Sequence, residues 1–311
     1  SCLALFFFGH YIAGLAGYLT TVYLLGYSFI SGLVVGAAFT ATSVGVSVKV
    51  WEEQGALNSS TGGLLLDLAE LDDVSAVVLM ALVFTIIPLL QTGASGSVLP
   101  ALFLTSLSFA LKMILFGAFC YVFAVFLERP ITDFLNRVES SPDSTLTIVG
   151  IGFVIAALAE FLGFSLAIGA FFAGLVFSRD PKCLSLNEAF VPIFDFFSPF
   201  FFVGIGFELQ TEAMHSSLGV GLVLAVMAIA AKILANGIPL TFFKGWQSGL
   251  LIGVSMVPRA EIAMVIMQKG MHLGSWAVDQ RLFGATVVVS ALTCLSSPFA
   301  VRLLLNRGKG M

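Results

Sequence analysis

Charge is what this chain has least of. Only 10% of its 311 residues are Asp, Glu, Lys or Arg, against roughly 25% in a soluble globular domain, so a soluble globular fold is excluded. Cysteine is equally sparse: Cys2, Cys120, Cys183 and Cys294 show no short pair spacing, which excludes a disulfide framework, a zinc knuckle and a haem-attachment motif. Fourteen basic residues, spread thinly within a net charge of -4, form no basic patch, and nucleic acid is not an expected partner. Neither Gly-x-Ser-x-Gly nor His-Glu-x-x-His occurs and no Ser-His pairing stands out, so the chain is not read as an enzyme. What is abundant is apolar sequence, at 59% of residues, with 31 Phe and 31 Gly. The chain reads as an integral, multi-pass membrane protein.

A spanning helix needs about 20 mostly apolar residues. Cut at polar or turn-rich joints, the sequence divides into ten segments: 1–25, 28–50, 61–90, 99–127, 144–161, 164–178, 191–209, 214–243, 246–270 and 281–305. Runs such as 220–231 and 286–292 are apolar on every face, whereas barrel strands would alternate; the fold class is therefore all-α. If the connections alternate sides, one face collects Lys49, Arg129, Arg137, Arg179, Lys182, Lys244, Arg302, Arg307 and Lys309, while the other holds Lys269 and Arg281. The basic-rich face is expected to be cytoplasmic and to carry both chain ends. Ser1 leads directly into an apolar helix without the charged region or cleavage site of a signal peptide. The sequence reads as a fragment missing upstream spans, with a processed natural start as the alternative.

Two of the segments carry interruptions. The second contains Thr40-Ala41-Thr42-Ser43-Val44-Gly45, and the ninth contains Val257-Pro258-Arg259-Ala260-Glu261. Proline removes a backbone donor and clashes with the turn before it, so Pro258 should free carbonyls that need another partner. A matched pair of broken helices in segments of opposite topology points to an inverted-repeat transporter core; each feature alone reads equally well as a kink or as hydroxyls bonding back onto their own helix. The organisation expected is a first inverted triplet at 1–90, a linker helix and loop at 91–143, further helices at 144–213 and a second triplet at 214–311.

Ionisable residues inside a membrane cost at least about 2.5–3.5 kcal/mol each on insertion scales and mark function by default. Asp73 lies about 18 Å along the third segment, at mid-membrane, next to Asp72. Adjacent carboxylates cannot both ionise cheaply in a low dielectric. Lys232, in the middle of the eighth segment, is the expected counter-ion, releasing Asp72 as a cation binds. The shallower Asp67 and Glu70 are placed at a cytoplasmic entrance. Arg259 needs an acidic or carbonyl partner, with Glu261, Glu70 and Asp67 as the acidic choices, and is expected to brace the broken helix. Glu160, Glu208 and Asp195 lie near span ends, Lys112 is read as facing a partner helix, and His10 as a satisfied polar group rather than a ligand.

The stretches Ala41-Thr42-Ser43-Val44-Gly45-Val46-Ser47-Val48-Lys49-Val50, Leu71-Asp72-Asp73-Val74, Gly169-Ala170-Phe171-Phe172-Ala173-Gly174 and Val257-Pro258-Arg259-Ala260-Glu261-Ile262-Ala263 resemble the monovalent cation:proton antiporter family of the sodium/hydrogen exchanger type. The resemblance covers essentially the whole chain, and its Asp-Asp pair is similar to that of the electrogenic bacterial branch. Electroneutral relatives tend to have Asn-Asp, and potassium efflux systems Gln-Asp. The resemblance implies a fold of usually thirteen helices, of which these segments would be the last ten, with dimerisation-type helices at 144–213, and a homodimer in a bacterial or archaeal plasma membrane. An elevator-like movement of the core would exchange Na+, or K+ or Li+, for H+ without a cofactor. It assigns the cation and proton site to Asp73 with Asp72, the charge partner to Lys232, the first crossing to Thr42 and Ser43, and the second to Arg259 and Glu261 beside Pro258. A regulatory C-terminal domain would lie beyond Met311. A channel or sensor on the same fold is the competing class.

Overall fold

The computed structural model describes residues 2–91, 98–127, 130–131, 144–164, 166–177, 183–209 and 211–308. All regular elements among them are helices. In chain order they are α1 (Cys2–Leu19), α2 (Phe29–Thr40), α3 (Val44–Glu53), α4 (Ser60–Gln91), α5 (Val98–Val122), α6 (Ser144–Phe161) and α7 (Leu166–Phe177). There follow α8 (Cys183–Phe207), α9 (Thr211–Lys232), α10 (Ile238–Lys244), α11 (Trp246–Ser255), α12 (Glu261–Leu273) and α13 (Gln280–Gly308). Five stretches are long and apolar enough to cross a membrane: Phe29–Glu53, Ser60–Gln91, Phe103–Leu127, His215–Lys244 and Gln280–Asn306. Three apolar helices are shorter, at Ile148–Phe161, Ile168–Phe177 and Val191–Phe207. Arg129, Arg137, Arg179, Lys182 and Lys309, which weigh in the orientation argument, lie outside the described residues.

The chain divides into two compact units, Ser1–Val83 with Ile205–Met311, and Phe84–Gly204. The second unit is bound by aromatic packing: Phe116 lies 5.2 Å from Phe172 and 5.8 Å from Phe164, ring centre to ring centre, and Phe109 lies edge-on to Phe164 at 5.6 Å. Offset and edge-on arrangements of this kind are the favoured ones for aromatic rings. Lys112, in the same unit, is exposed and donates to the Leu162 carbonyl at 3.4 Å.

In the first unit, buried Trp51, Leu65, Leu68, Ile252 and Val301 form one apolar cluster. Small residues let helices approach within it. A Cβ on Gly249 would collide with the Thr241 side chain and the Gly237 carbonyl, and one on Gly253 would sit 3.0 Å from the Ile233 carbonyl. This is the small-residue packing by which membrane helices come close when no hydrophobic effect drives them together. Gly249→Val should therefore lower stability by about 1–3 kcal/mol, read as a lower thermal midpoint in detergent. Gly219→Ala, where the space around the glycine is open, should leave that midpoint unchanged or slightly raised. Equal midpoints for the two variants would contradict the packing argument.

Several devices shape the ends. Ser28 caps α2 by accepting the Ser31 amide at 3.1 Å. Gly245, at φ 84°, closes α10 and starts α11. Lys244, at the end of α10, donates to the Ser60 hydroxyl at the start of α4 at 2.6 Å. Between α9 and α10 the chain runs through a π-helical turn, Ile233–Gly237, immediately after Lys232.

Candidate functional site

Both expected interruptions are present: the chain is non-helical at 41–43 and again at 256–260. The two breaks meet. The Ser43 amide donates to the Pro258 carbonyl at 2.9 Å, and the Ser43 hydroxyl donates to Oε2 of Glu261. On one side of this crossing α2 packs against α12, and on the other α3 packs against α11 and α13. Thr42 and Ser43 do not bond back onto their own helix here; both reach across the breaks. The carbonyl four residues before Pro258, that of Val254, loses its usual helical donor and accepts the Val257 amide at 3.2 Å and the Ser297 hydroxyl at 3.0 Å.

Each break ends a half-helix whose last carbonyls have no partner along the chain. A cation answers each of them. Lys232 Nζ donates to the Thr40 carbonyl at the end of α2, at 2.9 Å. Arg259 Nη1 lies 3.4, 3.3 and 3.2 Å from the carbonyls of Met256, Val257 and Pro258 and 3.2 Å from the Thr42 hydroxyl. Positive charge at a helix C-terminus is favourable in any case. None of Glu261, Glu70 or Asp67 is a hydrogen-bond partner of Arg259. Its partners are carbonyls and a hydroxyl, because the break exposes acceptors closer than any carboxylate. Its Nε and Nη2 are buried without a partner among the described residues. Glu261 opens α12, where a negative charge meets the positive end of the helix. Asp67 and Glu70 are exposed on α4.

The adjacent carboxylates differ sharply in surroundings. Asp72 is 1% exposed. Its Oδ1 lies 3.2 Å from Lys232 Nζ and 3.1 Å from His10 Nδ1, and its Oδ2 lies 3.5 Å from Nζ. A buried charge is tolerated when paired and hydrogen-bonded in this way. Asp73 is half-buried, and no hydrogen bond from the described residues reaches its carboxylate. The charges acting on it are Asp72, Glu261 and Lys232. One carboxylate is thus held on several sides while its neighbour is left open for a small cation or a proton. No group of three His, Cys, Asp or Glu side chains is arranged to hold a metal among the described residues, so any ion bound here would draw on Asp73 with hydroxyl and carbonyl oxygens.

His10 and Ser75 join Asp72 in the structure without having been singled out as partners on the sequence. Ser75 Oγ lies 3.1 Å from His10 Nδ1. A buried histidine nine residues into an apolar helix was the one available signal.

Two broken helices crossing beside a buried carboxylate and lysine, in an all-helical apolar chain, define an integral membrane protein of the transporter class. The comparisons agree. The family described as sodium/hydrogen exchanger, transmembrane, matches residues 1–307, and the chain belongs to it. It is 28% identical over 291 residues to the high-affinity Na+/H+ antiporter NhaS3 of Synechocystis sp., covering 92% of this chain and 61% of that protein. It is 29% identical to the Na+/H+ antiporter of Enterococcus hirae, covering 86% and 67%. It is 28% identical to the Na+/H+-K+ antiporter GerN of Bacillus cereus, covering 94% and 70%. The chain thus spans about two thirds of the length of these relatives.

Proposed function

We propose that this protein exchanges a monovalent cation for protons across a membrane, by secondary transport and without covalent chemistry. The observation that carries this reading is the asymmetry of the carboxylate pair: Asp72 is bound by Lys232, while Asp73 accepts no hydrogen bond from the described residues. Asp73 would take the cation or the proton in turn, and Asp72 would let go of Lys232 as the cation enters. Sodium is the leading cation, supported by the names of the Synechocystis and Enterococcus relatives. Potassium is the second reading, supported by the name of GerN and by 24% identity over 291 residues to K+ efflux antiporter 4 of Arabidopsis thaliana.

On this reading all ten apolar segments cross a plasma membrane, with 1–90 and 214–311 as inverted triplets and both chain ends cytoplasmic. The unit made of residues 1–83 and 205–311 moves as an elevator, the protein works as a homodimer, and exchange is electrogenic. The half-helix ends at Thr40 and Met256, each answered by a cation, support this reading as the kind of site that broken transporter helices build.

Reconstitution into proteoliposomes tests it. Proton movement is recorded on adding sodium, potassium or lithium, with and without an imposed potential. Cation-driven flux that saturates and responds to voltage is expected. Flux far above carrier rates, or cation movement without protons, would replace the antiporter with a channel or sensor.

A further inference from the structure

The inference concerns His10, and it rests on the exchange reading above. Its ring is 2% exposed, and Nδ1 lies 3.1 Å from Asp72 Oδ1 and 3.1 Å from Ser75 Oγ. The Ser75 hydroxyl lies 3.0 Å from the Asp72 carbonyl and donates to it. With that hydrogen committed, Ser75 Oγ can only accept toward the ring. A carboxylate oxygen also only accepts. Asp72 Oδ1 and Ser75 Oγ are therefore both acceptors toward Nδ1, and these two contacts are satisfied when Nδ1 carries a hydrogen shared between them.

The helix that carries the ring is held in place independently of that bond. The helix carrying it, α1, packs against α9 and the π-helical turn that follows Lys232. Gly9 leaves room for the Asn236 side chain, which a Cβ there would strike, and Asn236 Nδ2 reaches the Lys232 carbonyl at 3.3 Å. The residue before His10 is thus locked onto the segment that carries the lysine, and α4 brings Asp72 and Ser75 to the ring.

We infer that His10 is a positioning residue of the ion site: through Nδ1–H it holds the Asp72 carboxylate in place when Lys232 lets go. In the resting arrangement Asp72 Oδ1 is shared by Lys232 and His10. Once the lysine has left, an unheld carboxylate would swing or stay bound to its lysine, and cation entry would be opposed. The histidine hydrogen bond stays through the step and makes the lysine's departure easier.

Two variants of similar size separate this from a merely structural role. In His10→Asn the amide nitrogen falls where Nδ1 stood, whereas in His10→Gln it falls nearer the place of Nε2. Sodium-driven proton flux in proteoliposomes is measured for both against the wild type. The Gln variant should raise the half-saturating sodium concentration about tenfold or more, the scale of one hydrogen bond to a charged group, with maximal flux changed less than about threefold. The Asn variant should recover that concentration to within about threefold of the wild type. Two variants that both match the wild type would overturn the inference, and so would two that are equally impaired, since the ring itself would then be what matters. A wild type that moves no protons in response to any cation would instead sink the exchange reading.

Discussion

Replacing Asp73 with Asn should abolish sodium-driven proton movement while leaving the protein at least as stable as before. Asn keeps the shape and polarity of the side chain but can neither carry a proton nor offer a full charge to a cation. No neighbouring group can take over. Asp72 is bound by Lys232 and His10, and Glu261 is engaged by Ser43. Coupled flux should fall to that of protein-free vesicles, a loss of at least about a hundredfold, since a charged contact worth about 3 kcal/mol is removed together with the proton carrier. The stability half follows from the same geometry. Asp73 accepts no hydrogen bond from the described residues, and two like charges, Asp72 and Glu261, act on it against the single cation Lys232. Removing its charge relieves repulsion, and the thermal midpoint in detergent should stay level or rise. Asp72→Asn should behave in the opposite way, stranding Lys232 as a buried unpaired charge at a cost of about 3–5 kcal/mol and lowering the midpoint. Full exchange in Asp73→Asn would remove Asp73 from the site.

The contrast between the two aspartates also shows what could be read before the fold was known. Depth along an apolar run placed Asp72, Asp73 and Lys232 inside the bilayer, because helix rise converts position into distance. The breaks were legible too, since Pro258 and the Thr42-Ser43 cluster disturb a helix locally. What joins these features was not legible. His10 and Asp72 are 62 residues apart, and Ser43 and Glu261 are 218 apart. No periodicity connects residues on different helices when those helices are apolar on all faces, because hydrophobic pattern then says nothing about which side faces which neighbour. Arg259 illustrates the same limit. Its need for a partner followed from its charge, but that carbonyls would answer it depended on where the broken backbone points. The boundaries between units were hidden for another reason. They fall at 83/84 and 204/205, inside α4 and α8, where the helix continues without any change of composition.

Lys232→Gln should uncouple exchange from membrane voltage. The lysine is fully buried, 2.9 Å from the Thr40 carbonyl and 3.2 Å from Asp72 Oδ1. If it gives up a proton as the cation enters, and Asp73 gives up another, two protons cross for each monovalent cation and one net charge moves per cycle. A net charge crossing 100 mV is worth about 2.3 kcal/mol, which at 1.4 kcal/mol per tenfold shifts the balancing sodium gradient about fiftyfold. Gln can still donate to Thr40 or to Asp72, so the end of α2 keeps a donor, but its charge never changes. One proton would then cross per cation, and the same 100 mV would leave the balancing gradient where it stood. The variant should also be less stable than the wild type, because Asp72 loses its cation and keeps the His10 contact. Measured with the potential clamped across the vesicle membrane, a gradient that still moves with voltage in Lys232→Gln would show that the lysine is a structural counter-ion alone. A gradient that has become indifferent to voltage, with exchange still running, would make Lys232 the carrier of the second proton.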